Sequence, residues 1–392
     1  MLRSLEIHNY RNLRHLTIER LGRVNLLLGK NNTGKTSVLE AVAIHINRGS
    51  IDFLFQLLNE RGENYIRAED TERRNSEVAK EITILKTLAA LFTGRAAQFN
   101  QKSTILIGEH ESTLFGPETA SVNRIGLRFV RFLEKYDYLD TDEKLSGPVH
   151  RRRISLPDDT DDPEALLGIE VRFNQSTVIT PFRNIDRTAR GLNSLQISSL
   201  DDSLASYQFV KTKNIEREIN GALWDKIALT ESEDEVVNAL KIIESDIDRI
   251  TFRNERERER VPVVKLKSSN DVVPLRSMGD GINRILTIIL AMVNCENGYF
   301  LIDEFENGLH YSVQEKLWEV IFSVAERLNI QVFATTHSYD CIDAFSAILN
   351  SGRYPKESGC MIRLDNYEGD IEATLYNADE IQATTRVQVD PR

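Results

Sequence analysis

One short stretch near the N-terminus restricts the fold more than anything else in the chain. Val24-Asn25-Leu26-Leu27-Leu28 reads as a strand with apolar residues on both faces, as expected inside an α/β sheet. It runs directly into Gly29-Lys30-Asn31-Asn32-Thr33-Gly34-Lys35-Thr36-Ser37, after which VLEAVAIHI has the apolar spacing of a helix. Strand, glycine-rich turn and helix in that order aim backbone N–H groups and a helix N-terminus at one point, which makes a cradle for phosphate. Gly29 and Gly34 let the backbone curl, and Asn31, Asn32, Thr33 and Ser37 complete the cradle. Lys35 has the reach to bridge β- and γ-phosphates, and the Thr36 hydroxyl suits Mg²⁺.

Such a loop needs an acidic partner at the end of a neighbouring strand. Tyr299-Phe300-Leu301-Ile302-Asp303-Glu304 supplies one, an apolar strand ending in two carboxylates. Side chains alternate along a strand, so the two acids divide their work. Asp303 reaches the Mg²⁺ shell, and Glu304 orients and deprotonates the attacking water. Ser277-Met278-Gly279-Asp280-Gly281, just before the helix that leads into this strand, forms a second anion cradle. One chain cannot easily wrap both cradles around a single γ-phosphate. The economical solution is a homodimer, or a higher oligomer, in which Ser277 and Gly279 of one copy close on ATP held by Lys35 of the other. Thr335-Thr336-His337-Ser338 ends the next strand, where His337 can hydrogen-bond the γ-phosphate.

The first residues alternate as short strands around the polar turn His8-Asn9-Tyr10-Arg11-Asn12. Residues 51–99 read as mainly helical, 103–182 contain strand-like runs, and 203–249 return to helical character. The acidic, Pro-containing stretch from Asp137 to Glu164 reads as a surface loop or a partly disordered one. After Val261 come a hairpin, VVKLK and DVVPL, then helix 281–294, strand 299–303, helix 312–328 and strand 330–335. Ser312 and Glu315 predict a capping box at the start of that second helix. The expected organisation is therefore an α/β head split between residues 1–48 and 262–392. A mixed, mainly helical arm subdomain, residues 49–261, is inserted in it.

Four motifs in order, GKNNTGKTS, SMGDGINR, FLIDEFENGLHYS and TTHS, resemble the ABC-type P-loop ATPases of the RecF/SMC/OLD group (OLD standing for overcoming lysogenisation defect). The start, LEIHNYRNLRHLTI, is similar to that group's entry strands. The resemblance covers roughly residues 1–48 and 262–345 and implies the nucleotide, metal, signature and switch roles given above. It also implies an OLD-type ATPase without a Toprim nuclease domain, because only residues 338–392 follow His337. Its counterparts are ATPase subunits of bacterial anti-phage defence systems that control a separate effector nuclease. The other reading is a RecF-like DNA repair or DNA-clamp ATPase. The resemblance leaves two positions unassigned. Glu306-Asn307-Gly308-Leu309-His310 replaces the aspartate-containing loop of transporter ATPases, and Gln56 or Gln98 would be the glutamine that touches the metal.

Composition limits the partners. The formal net charge of −11 makes any DNA contact depend on a local basic patch. Glu255-Arg256-Glu257-Arg258-Glu259-Arg260 offers one if it is a single strand, with three arginines on one face. His150-Arg151-Arg152-Arg153 and the segment from Arg183 to Arg190 are further basic patches of ordinary surface type. The longest apolar run, Ile285 to Val293, is too short to cross a bilayer, and the charged N-terminus lacks a signal-peptide core. Cys295, Cys341 and Cys360 show no CxxC or Cys/His spacing, which argues against disulfide staples and against zinc. A cytoplasmic location is expected.

Overall fold

The strand that carries the glycine-rich turn is the natural place to begin. In the computed structural model, β1 (Leu5–Tyr10), β2 (Leu13–Ile18) and β3 (Val24–Leu28) come first, and every residue of β3 is buried. The structure describes residues 1–64, 77–110, 123–137, 150–160, 162–174, 176–187, 205–211, 217–256, 259–269 and 271–386. These fall into two compact units. One comprises residues 1–5, 17–39 and 198–392, the other residues 6–16 and 40–197.

The first unit is built on a sheet of order β16-β15-β3-β14-β13-β9. Its strands are β9 (Tyr207–Val210), β13 (Tyr299–Ile302), β14 (Gln331–Thr335), β15 (Gly359–Tyr367) and β16 (Asp370–Tyr376), together with β3. All pair in parallel except β15 with β16. The expectation that the loop strand and the acid-bearing strand are direct neighbours is corrected here, because β14 lies between them. Ile302 stands opposite Ala334, and Thr335 opposite Leu27, so β13, β14 and β3 end at the same edge of the sheet. In parallel α/β sheets that carboxyl edge is where ligands bind.

Helices α6 (Asp280–Val293), α7 (Tyr311–Arg327) and α8 (Tyr339–Leu349) pack into the core of this unit. In α6 the run Ile285, Leu286, Ile288, Ile289, Leu290 is buried. Trp318 of α7 stacks on Phe305 with ring centroids 4.2 Å apart and meets Phe345 edge-on at 5.0 Å. That aromatic block fixes the backbone immediately after Glu304, since burying rings of this size is worth several times a small side chain. The capping box also needs correction. Helix α7 is capped by His310, whose Nδ1 accepts from the Ser312 N–H, and Ser312 lies inside the helix. A side chain two residues earlier than expected thus satisfies an orphan donor. All three cysteines are free and buried, and burial pushes the Cys360 thiol up to about 11.

A separate sheet of order β10-β11-β12 contains β10 (Ile247–Arg256), β11 (Glu259–Leu266) and β12 (Val272–Pro274). The hairpin expected around residues 268–271 is the β11–β12 pair. The arginine ladder is not a single strand. Arg256 pairs with Glu259 across a hairpin, so the run folds back on itself at its tip. Arg260 pairs with Asp225 and lies over the Phe252 ring, while Arg258 is outside the described residues.

In the second unit β2 and β1 join β4 (Ile105–Gly108), β5 (Arg124–Asp137), β6 (His150–Ser155), β7 (Leu166–Phe173) and β8 (Ser176–Pro181). The order is β2-β1-β4-β5-β7-β8, with β6 also on β5. Of the arm expected over residues 49–261, the described residues up to 187 hold more strand than helix. Helices α2 (Ile51–Glu60) and α3 (Glu77–Ala89) accompany an antiparallel sheet. The stretch expected to be a loop from Asp137 to Glu164 contains β6. The reason is the length of β5, which extends beyond β4 and pairs Phe132 with Ser155 through Asp137 with His150. Arg128 and Glu170 form a buried bidentate pair at 2.8 and 3.2 Å, and Phe92 and Phe182 pack against Phe129. The basic patches are tied down as well, with Arg153 and Arg183 both bonded to Glu134.

Candidate nucleotide site

Helix α1 (Lys35–Ile46) starts at the lysine of the glycine-rich turn. Gly29 has φ 143°, and a Cβ there would come within 2.4 Å of the Leu364 carbonyl, so glycine is required on both steric counts. Thr33 is buried and donates to the Lys30 carbonyl at 2.9 Å, closing the loop on itself. Asn31 and Asn32 are exposed and Ser37 is buried at the foot of the helix. Lys35 Nζ donates to the carbonyls of Gly29 and Lys30 at 2.6 and 2.9 Å. Burial lowers the Lys35 ammonium from its ordinary value, and Asp303, Glu306 and Glu304 offset part of that. The hydrogen bonds that a phosphate oxygen would displace at this ammonium go to neutral carbonyls, an exchange that charge favours.

The Thr36 hydroxyl donates to Asp303 at 3.0 and 3.2 Å, and the Thr335 hydroxyl donates to Asp303 Oδ1 at 2.6 Å. A hydroxyl and a carboxylate meeting this way are the hard oxygen donors that Mg²⁺ takes, so the residues fit the ion. Strand β13 ends at Ile302, so the two adjacent acids lie in the bend just beyond it, and simple strand alternation does not apply. Glu304 takes the left-handed region at φ 51°, uncommon for a side chain of this type. Its N–H donates to Thr335 Oγ1 at 2.8 Å and its carbonyl accepts from Arg284 Nη2 at 3.0 Å. Arg284 is buried on α6, and burial lowers it while Glu306 and Glu304 pull it back up.

Glu306 connects this turn to the end of β14. It accepts from Thr336 Oγ1 at 2.8 Å and from the His337 N–H at 2.8 Å, and it pairs with His337 Nδ1 at 2.8 Å. Thr335, Glu306 and Arg284 were not marked by sequence reasoning as site residues. The string DEFEN contained the signal for Glu306, since a further acid two residues on from Glu304 was in plain view.

The second cradle is differently made. Ser277 lies in a short 3₁₀ turn, is exposed, and donates to the Pro274 carbonyl at 2.7 Å. Gly279 caps α6 at φ 114° with nothing within 4 Å of a built Cβ. The two glutamines belong to the second unit. Gln56 donates to Glu60 at 2.9 Å and Gln98 accepts from Asn100 and Ser103. Neither is bonded to Thr36 or Asp303 among the described residues.

Comparison with known proteins now decides the family. Residues 1–116 and 175–342 match the family model described as an AAA ATPase domain (AAA_15). The chain belongs to that family. It is also 22% identical over 375 residues to an ATP/GTP phosphatase of Helicobacter pylori, covering 94% of each chain. A stretch of 124 residues is 32% identical to the DNA replication and repair protein RecF of Bacillus mycoides, covering 29% of this chain and 31% of that one. In space the chain is similar to the SMC head domain from Thermotoga maritima, with 11% identity, a TM-score of 0.46, and 96% and 98% of the two chains covered. No helix among the described residues is long and apolar enough to cross a membrane.

Proposed function

We propose that the protein is an ATP-hydrolysing switch whose active sites form between two copies arranged head to tail. The observation that carries this reading is the asymmetry of the two cradles. Lys35, Thr36, Asp303 and Glu304 gather at one edge of one sheet, while the Ser277–Gly279 turn stands open at a helix N-terminus. In this reading Lys35 binds the β- and γ-phosphates, and Thr36 with Asp303 holds Mg²⁺. When bound, Mg²⁺ supplies charge neutralisation on the phosphate oxygens. Glu304 accepts the proton of the attacking water, its position set by the backbone bonds to Thr335 and Arg284. Glu306 holds His337 through Nδ1 and leaves Nε2 for the γ-phosphate. Ser277 and the α6 N-terminus of the second copy complete the charge stabilisation.

Glu304→Gln tests the base. It should bind ATP, accumulate dimers in light scattering, and hydrolyse roughly 10²–10⁴-fold more slowly than wild type. Turnover at the wild-type rate refutes the assignment.

The OLD-like strings support a role as the regulatory ATPase of an anti-phage system, acting in the cytoplasm on a separate effector nuclease. The RecF segment favours a second reading, a DNA repair or clamp ATPase. Affinity purification of the tagged chain separates them. A co-purifying nuclease supports the first reading, and ATP-dependent DNA retention without one supports the second.

A further inference from the structure

Three of the chain's seven histidines come together with one carboxylate in the second unit. Leu5 and Ile7 of β1 are buried, so strand alternation puts Glu6 and His8 on the opposite face. His15, on the neighbouring strand β2, stacks on His8 with ring centroids 4.1 Å apart and planes 13° from parallel. Both rings point Nε2 at the same oxygen, Glu6 Oε1, at 3.1 Å from His8 and 3.3 Å from His15. The three donor atoms all lie within 4.8 Å of one another. Arg124 pairs with the other carboxylate oxygen, Oε2, and His110 Nδ1 stands 3.6 Å from it.

We propose that Glu6, His8 and His15 form a transition-metal site of zinc type on the β1–β2 hairpin. Two imidazoles and a single carboxylate oxygen are the donor set that suits Zn²⁺ and Co²⁺, and a poor one for Mg²⁺. The donors lie within reach of one ion, and the stacked His8 and His15 rings would rotate out of parallel to aim both Nε2 atoms at it. Ligands about 2.05 Å from a tetrahedral zinc stand about 3.3 Å from each other. The separations of 3.1 and 3.3 Å from the two Nε2 atoms to Glu6 Oε1 are close to that edge length. Arg124 leaves Oε1 available by occupying Oε2, which favours one-oxygen ligation. Burial alone would raise the Glu6 carboxyl. The hydrogen bond from His8 and the charge of Arg124 hold it below its ordinary value. The His15 side chain is 58% exposed, which gives the ion a way in. His110 or a water takes the fourth position. No CxxC or Cys/His spacing announces this site, because strand pairing alone brings the ligands together.

The test uses the full-length protein without nucleotide, in excess Mg²⁺ to fill the hard oxygen sites, titrated with Co²⁺ and then Zn²⁺. Wild type should bind one Co²⁺ per chain with the visible absorption of a four-coordinate ion, displaced by Zn²⁺, and Zn²⁺ should raise the melting temperature. His15→Gln, a mild change at an exposed position, should weaken Co²⁺ binding at least about 10-fold, and His8→Gln with His15→Gln at least about 100-fold. His15→Cys should keep the site and add a thiolate-to-cobalt charge-transfer band. His310→Gln, outside the cluster, should bind as wild type does. Unchanged Co²⁺ affinity in the double variant, no charge-transfer band in His15→Cys, or no micromolar binding by wild type overturns the proposal and leaves the cluster an ion-pair group.

Discussion

The glycine-rich loop and the serine turn both stand at helix N-termini, yet they are held in opposite ways. The loop is tied inward at each step, with Thr33 and Lys35 on its own carbonyls and Thr36 on Asp303. The serine turn is held by short local bonds, from Ser277 to the Pro274 carbonyl and from the Gly279 N–H to the Arg276 carbonyl, and Gly279 faces open space. A site that supplies its own lysine, metal donors and base does not need more from the same chain. A cradle with no such company is suited to a ligand brought by another surface. The lesson is that the two differ in what completes them, although their sequence signatures look alike.

Breaking the inward-tied cradle should have the largest effect. Lys35→Ala removes a half-buried ammonium that feels three carboxylates, and ATP affinity should fall at least about 100-fold by calorimetry. If affinity holds, the loop does not grip the triphosphate.

Next comes the open cradle. Ser277→Arg should leave the ATP affinity of the isolated chain within about 3-fold while hydrolysis falls roughly 100-fold. Loss of binding equal to that of Lys35→Ala would show that both cradles serve one nucleotide in one copy.

Smaller still is the effect at the hinge between the two acids and the switch. Glu306→Gln keeps the shape but weakens the bonds to Thr336 and His337, and hydrolysis should drop about 10-fold with ATP affinity almost unchanged. A drop as large as that of Glu304→Gln would make Glu306 the better candidate for the base.

What was legible in the sequence was local. The glycine-rich loop and the Asp303-Glu304 pair sit in contiguous strings whose flanking strand and helix carry their own apolar patterns. The site's internal wiring was not legible, because Thr336 reaches Glu306 across 30 residues and Thr36 reaches Asp303 across 267. Only the strand order, with β14 between β3 and β13, makes those contacts, and no spacing rule contains it. Strand β6 escaped for a similar reason. HRRRIS has little apolar alternation of its own and becomes a strand by pairing with the overhang of β5. The arginine run failed in the opposite sense, since a turn at its tip overrode the alternation that made it look like a ladder. Glu6, His8 and His15 were overlooked because the eye searches for metal ligands along the chain and these meet across a hairpin.

The central claim, that two copies share each site, is tested most directly by mixing two dead variants. Lys35→Ala and Ser277→Arg chains are each expected to be nearly inactive alone. A mixed dimer pairs the intact lysine loop of one with the intact serine turn of the other. Equal mixing should therefore restore roughly a quarter of wild-type ATPase activity, since half the dimers are mixed and each has one whole site. Activity that stays at the average of the two parents, while the mixed dimers form, would contradict the account.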